Sequence, residues 1–82
     1  MARTPRTYQA HEQQALEWMA AQIRQARQNS GYSQEELAAR ANLSRSHISK
    51  IESAQYDPQF TTLLRLTTAL KLSMQDLLRG NG

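Results

Sequence analysis

The sequence predicts an all-α fold, a compact bundle of five helices. Three observations carry that prediction. Alanine, leucine, glutamine and arginine dominate the composition, valine is absent and there are three glycines, a balance that favours helix over sheet. Apolar residues recur at spacings of three and four through most of the chain. Serines stand at Ser33, Ser44 and Ser73 just ahead of such stretches, where a helix takes its N-cap.

Residues 1–9 read as a flexible basic arm, with Arg3, Pro5 and Arg6 and little to bury. From Ala10 to Asn29 the pattern is helical, with Leu16, Met19, Ile23 and Ala26 forming one stripe and Trp18 one residue off it, at the core edge or in a dimer contact. Gly31 follows, where a left-handed cap favours glycine. Ser33 and Glu36 make a capping box that opens a second helix burying Leu37, Ala38 and Ala41. Asn42 tolerates the left-handed backbone of a tight turn. Ser44 then caps a third helix with Ile48 and Ile51 inward. The stretch "SAQYDPQF" reads as a loop, marked by Asp57-Pro58, and "TTLLRLTTALKL" as a fourth helix burying Leu63, Leu66, Leu70 and Leu72. Ser73 and Asp76 cap a short fifth helix, and residues 80–82 read as a frayed end.

The chain of 82 residues makes one domain, residues 10–79, near the lower size at which one core is self-sufficient. With no cysteine, neither a disulfide nor a thiolate zinc site is available. His11 and His47 are not at metal-ligand spacing, no serine–histidine–acid set can be placed in one cleft, and a glycine-rich phosphate loop is missing. The expectation is therefore a protein that is not an enzyme and takes neither cofactor nor metal. No apolar run approaches the roughly 18 residues of a membrane span, and the N-terminal arginines are not followed by the apolar stretch of a secretory signal. A cytoplasmic location is expected. The net charge of +3 biases the protein toward polyanions without establishing one as its partner.

Counting Gln34 as one, apolar residues fall at positions four (Leu37), eight (Ala41), ten (Leu43), fifteen (Ile48) and eighteen (Ile51). The small Ala38 lets two helices approach closely, Leu43 plugs the corner, and the two isoleucines anchor the second helix of the pair while its opposite face stays outside. That face holds Arg45, Ser46, Ser49 and Lys50, with His47 toward its flank.

With these residues the segment from Ile23 to Leu78 resembles the phage repressor and Cro family, the XRE family of helix-turn-helix DNA-binding domains. The resemblance rests on "SQEELA", "LSRSHISKIE", the Asp-Pro loop and "LLRLTTALKLSMQDLL". It implies a lambda-repressor-like domain whose helix-turn-helix spans residues 33–52 and whose third helix lies in the DNA major groove. Base contacts are then expected from Ser44, Arg45, Ser46, Ser49 and Lys50, and backbone contacts from Ser33, Gln34, His47, Ser53, Gln55 and Gln59. Arg27 and Glu52 match a buried ion pair found in some phage repressors. The family often has glycine where this chain has Asn42, Ala54 and Lys71; Asn42 is a mild change, while Ala54 and Lys71 imply altered or strained ends to the third and fourth helices.

The expected function is a sequence-specific transcriptional regulator, a repressor of a palindromic operator in double-stranded DNA. A homodimer is expected through the fifth helix, with the extended first helix as the second choice. Small controller proteins of restriction-modification systems are similar in size and plan. The alternative is a protein-interaction module of the same fold, an antitoxin or adaptor that binds a partner protein.

Overall fold

The computed structural model describes residues 7–79. Within them the chain forms α1 (Ala10–Asn29), α2 (Gln34–Ala41), α3 (Arg45–Glu52), α4 (Phe60–Leu70) and α5 (Met74–Leu78). No strand occurs among the described residues. Most of the N-terminal arm, including Arg3, Pro5 and Arg6, and the frayed end at 80–82 lie outside them.

One core joins all five helices. Ile23 of α1, Leu37 of α2, Ile48 and Ile51 of α3, Leu66 of α4 and Leu77 of α5 are fully buried. Each such side chain contributes about 1.5–3 kcal/mol by leaving water. Met19, Ala38, Ala41, Leu63 and Leu70 complete the cluster, with Leu16, Ala26, Leu43 and Leu72 half-buried against it. Helix α2 lies against α3 and α4, while α1 runs beneath α3, α4 and α5.

Serine hydroxyls start three of the helices. The Oγ atoms of Ser33, Ser44 and Ser73 accept the backbone N–H groups of Glu36, His47 and Asp76 at 3.0, 3.1 and 2.9 Å. The Glu36 carboxylate accepts the Ser33 N–H in return at 3.0 Å. The start of α1 is built the same way from glutamine: Gln9 is its N-cap, and its N–H donates to Glu12 at 2.8 Å.

The helix ends repeat a single backbone device. Gly31, Asn42, Ala54 and Lys71 all adopt the left-handed conformation, with φ of 75°, 58°, 62° and 57°. The next residue's N–H then reaches back five positions: Tyr32 to Arg27 O at 3.0 Å, Leu43 to Ala38 O at 2.8 Å, Gln55 to Lys50 O at 3.4 Å, and Leu72 to Thr67 O at 2.9 Å. These are Schellman ends, which satisfy carbonyls that the helix leaves open. Asn42, Ala54 and Lys71 hold a shape that glycine would hold without its steric cost. The fourth helix therefore stops at Leu70, two residues before the end its apolar pattern predicts, and starts one residue earlier, at Phe60. Lys71 reverses the backbone and Leu72 folds back onto the core. Trp18 sits half-buried at the core edge.

Candidate nucleic-acid interface

The face opposite the buried side of α3 is the only part of the helix-turn-helix whose long cationic side chains stay uncommitted among the described residues. Ile48, Ile51 and Glu52 turn inward, while Arg45, Ser46, Ser49 and Lys50 are exposed. The Arg45, Ser49 and Lys50 side chains take part in no hydrogen bond or ion pair among the described residues. Ser44 and Ser46 are partly engaged, since the Ser44 Oγ caps the helix and lies 3.2 Å from the Ser46 Oγ. The face thus offers two cations one and a half turns apart, with small hydroxyls between them that let a flat surface approach.

Other residues of the expected site hold the scaffold. Ser33 caps α2. The Ser53 hydroxyl donates to Lys50 O at 2.9 Å, which leaves the loop after α3 attached to the helix it follows. Gln55 and Gln59 are exposed on that loop, and Gln59 is the N-cap position of α4 without a side-chain cap bond. His47 is half-buried, its ring edge-on to Tyr56 with centroids 5.0 Å apart, and its Nε2 is buried with no hydrogen-bond partner among the described residues.

Behind this face lies an ion pair between α1 and α3. Arg27 Nε donates to Glu52 Oε2 at 2.7 Å and Nη2 to Oε1 at 3.1 Å, a two-pronged contact suited to the guanidinium fork. Arg27 Nη1 donates to Tyr32 O at 2.8 Å, and Gln34 Nε2 donates to Glu52 Oε1 at 3.1 Å. The Gln34 side chain is therefore aimed at a protein carboxylate.

Three contacts had no signal in the sequence. The guanidinium of Arg40 lies 4.4 Å over the ring of Tyr32, Arg65 Nη1 reaches Asn42 O in the turn at 3.4 Å, and Tyr56 carries the His47 contact. Their partners stand too far apart in the chain for a local pattern to link them. Among the described residues no group of three or more His, Cys, Asp or Glu could hold a metal ion, and no helix is long and apolar enough to cross a membrane.

A five-helix bundle that buries one side of a capped short helix and leaves a basic, serine-lined side outside defines a helix-turn-helix DNA-binding protein. The family model described as helix-turn-helix matches residues 23–77, and the chain belongs to that family, in its XRE form. It is similar to the restriction-modification controller protein C.AhdI from Aeromonas hydrophila, with 32% identity and a TM-score of 0.73 over 76% of this chain and 94% of that one. It is also similar to the clp gene regulator ClgR from C. glutamicum, with 26% identity, a TM-score of 0.73 and coverage of 79% and 84%. A hypothetical transcription factor from Neisseria, NHTF, is 29% identical with a TM-score of 0.77 over 92% of this chain and 84% of that chain. A search of curated proteins finds no match. The family and these similar structures make the chain a DNA-binding transcriptional regulator.

Proposed function

We propose that this regulator binds a palindromic operator as a homodimer and represses by occluding a promoter, with α3 of each copy in the major groove. The observation that carries this reading is the outward face of α3, where the Arg45 and Lys50 side chains are exposed and uncommitted while Ile48 and Ile51 fasten the helix. Arg45 pairs with a guanine edge, Lys50 reads about one and a half turns further on, and Ser44, Ser46 and Ser49 supply short-range contacts. Ser33, Ser53, Gln55 and Gln59 contact the DNA backbone, with His47 on the flank. The site of action is the cytoplasm.

The dimer is part of the same proposal. One recognition helix reads only a few base pairs, and two about 34 Å apart multiply the specificity. Leu78 of α5 supports the fifth helix as the contact, because it is 63% exposed. It borders an open cavity of about 370 Å³, whose other walls include Leu16, Trp18 and Met19 of α1. The similarity to a restriction-modification controller protein supports a role in gene regulation.

Selection from a random DNA pool at near-physiological salt tests the proposal. An enriched inverted repeat, with half-site centres one helical turn apart, is the expected result. Retention without enrichment that collapses as salt rises overturns it. That outcome favours the second reading, a partner-protein module using the cavity beside Trp18.

A further inference from the structure

We infer that Gln34 is a positioning residue for the recognition helix, acting through the Glu52 carboxylate instead of through a DNA phosphate. The inference rests on the DNA-binding reading above. Glu52 is the last residue of α3 and Gln34 the first of α2, so they stand at the two ends farthest along the chain from the turn that joins the helices. A bond between them ties the helix-turn-helix at its open end, where the turn itself has least control.

The chemistry at that end is closely matched. The Glu52 side chain is 4% exposed and that of Arg27 is 13% exposed. A carboxylate this buried needs donors on both oxygens. Arg27 supplies one to Oε2 and one to Oε1. Oε1 takes a second donor from the Gln34 amide at 3.1 Å. Arg27 is held in turn by Tyr32 O, two residues before Gln34. Thus α1, the entry to α2, and the end of α3 meet at one carboxylate, and Gln34 is the donor that α2 itself contributes. An amide has the reach and the neutral charge for this place: asparagine is one methylene short, and glutamate would set a second carboxylate against the first.

A phosphate ligand and a positioning residue leave different marks. Loss of a phosphate contact weakens binding to every sequence alike, whereas a misaligned reading helix loses its preferred sequence first. The experiment compares wild type with Gln34→Met, measuring affinity for the enriched duplex and for a scrambled duplex of equal length, at one salt concentration and a temperature where circular dichroism shows both proteins folded. The expected result is a fall of about tenfold on the enriched duplex, with binding to the scrambled one unchanged to within about twofold. An equal fall on both, or no change on either, overturns the inference while leaving the DNA-binding reading intact. If wild type enriches no duplex, both fall together. A second measurement needs no variant: in free wild type the Gln34 side-chain amide protons should exchange with solvent more slowly than those of exposed Gln55 and Gln59. Exchange as fast as theirs overturns the inference.

Discussion

The imidazole of His47 stands edge-on to the ring of Tyr56, with centroids 5.0 Å apart and planes at 87°. This contact fastens the loop after α3 to the flank of that helix. His47 Nε2 is buried and has no hydrogen-bond partner among the described residues. Edge-to-face aromatic pairs are worth about 0.5–1.5 kcal/mol beyond the area they bury. His47→Ala should therefore lower the unfolding free energy in urea by about 1 kcal/mol. His47→Phe keeps the edge contact and removes an unpartnered buried nitrogen, so its stability should equal or exceed that of wild type. A loss as large as that of alanine would mean that the nitrogen has a partner.

Arg45→Ala should weaken binding to the selected operator by about 1–3 kcal/mol and relax one base position in each half-site. Repeating the random-pool selection with the variant checks this. An unchanged consensus would remove Arg45 from the base-reading set.

Breaking the Arg27–Glu52 pair from one side strands a charge. Arg27→Met should cost about 3–5 kcal/mol in chemical denaturation, and the double change Arg27→Met with Glu52→Leu should recover most of that loss. Equal instability of the single and double variants would show that the pair's geometry, and not the stranded carboxylate, sets the cost.

Ala54 and Lys71 carry a side chain where the backbone is left-handed. Ala54→Gly and Lys71→Gly should each raise stability by about 0.5–1 kcal/mol, since relief of the steric cost exceeds the added freedom of the unfolded chain. Ala39→Gly, on the exposed side of α2, should do the opposite and cost about 1 kcal/mol. Thermal melts of the three variants give the signs directly.

Leu78→Glu should shift the protein to monomer in sedimentation velocity and abolish simultaneous occupation of two half-sites, while leaving the fold intact because the side chain is already largely in water. An unaltered dimer would move the contact to another surface, with Phe60 and Leu64 of α4 as the other exposed large apolar residues.

Helix starts were legible because they are written locally. A serine three residues ahead of its backbone partner declares itself, as Ser33, Ser44 and Ser73 do. Helix ends were less so. Leu70 and Leu72 both look like core, and nothing in the residue type of Lys71 announces the reversal between them. The inward face of α3 followed from the spacing of Ile48 and Ile51, and the outward face from what remained. The partners of Gln34 and His47 were not legible, because each contact joins segments whose meeting depends on the packed bundle. The resemblance implied a phosphate contact for Gln34, and in the DNA-free fold its amide donates to Glu52.

If α3 reads the target as proposed, its attachment through Ile48, Ile51 and Glu52, with the other side left open, makes target choice a separable trait. Substitutions at Arg45, Ser49 and Lys50 disturb no partner within the described molecule, and changes at such surface positions usually stay within about 0.5 kcal/mol. After a gene duplication, a daughter copy can acquire a new binding site through a few of these residues while inheriting an unaltered scaffold. The same freedom lets an engineer graft new specificities onto the helix without redesigning what lies beneath it.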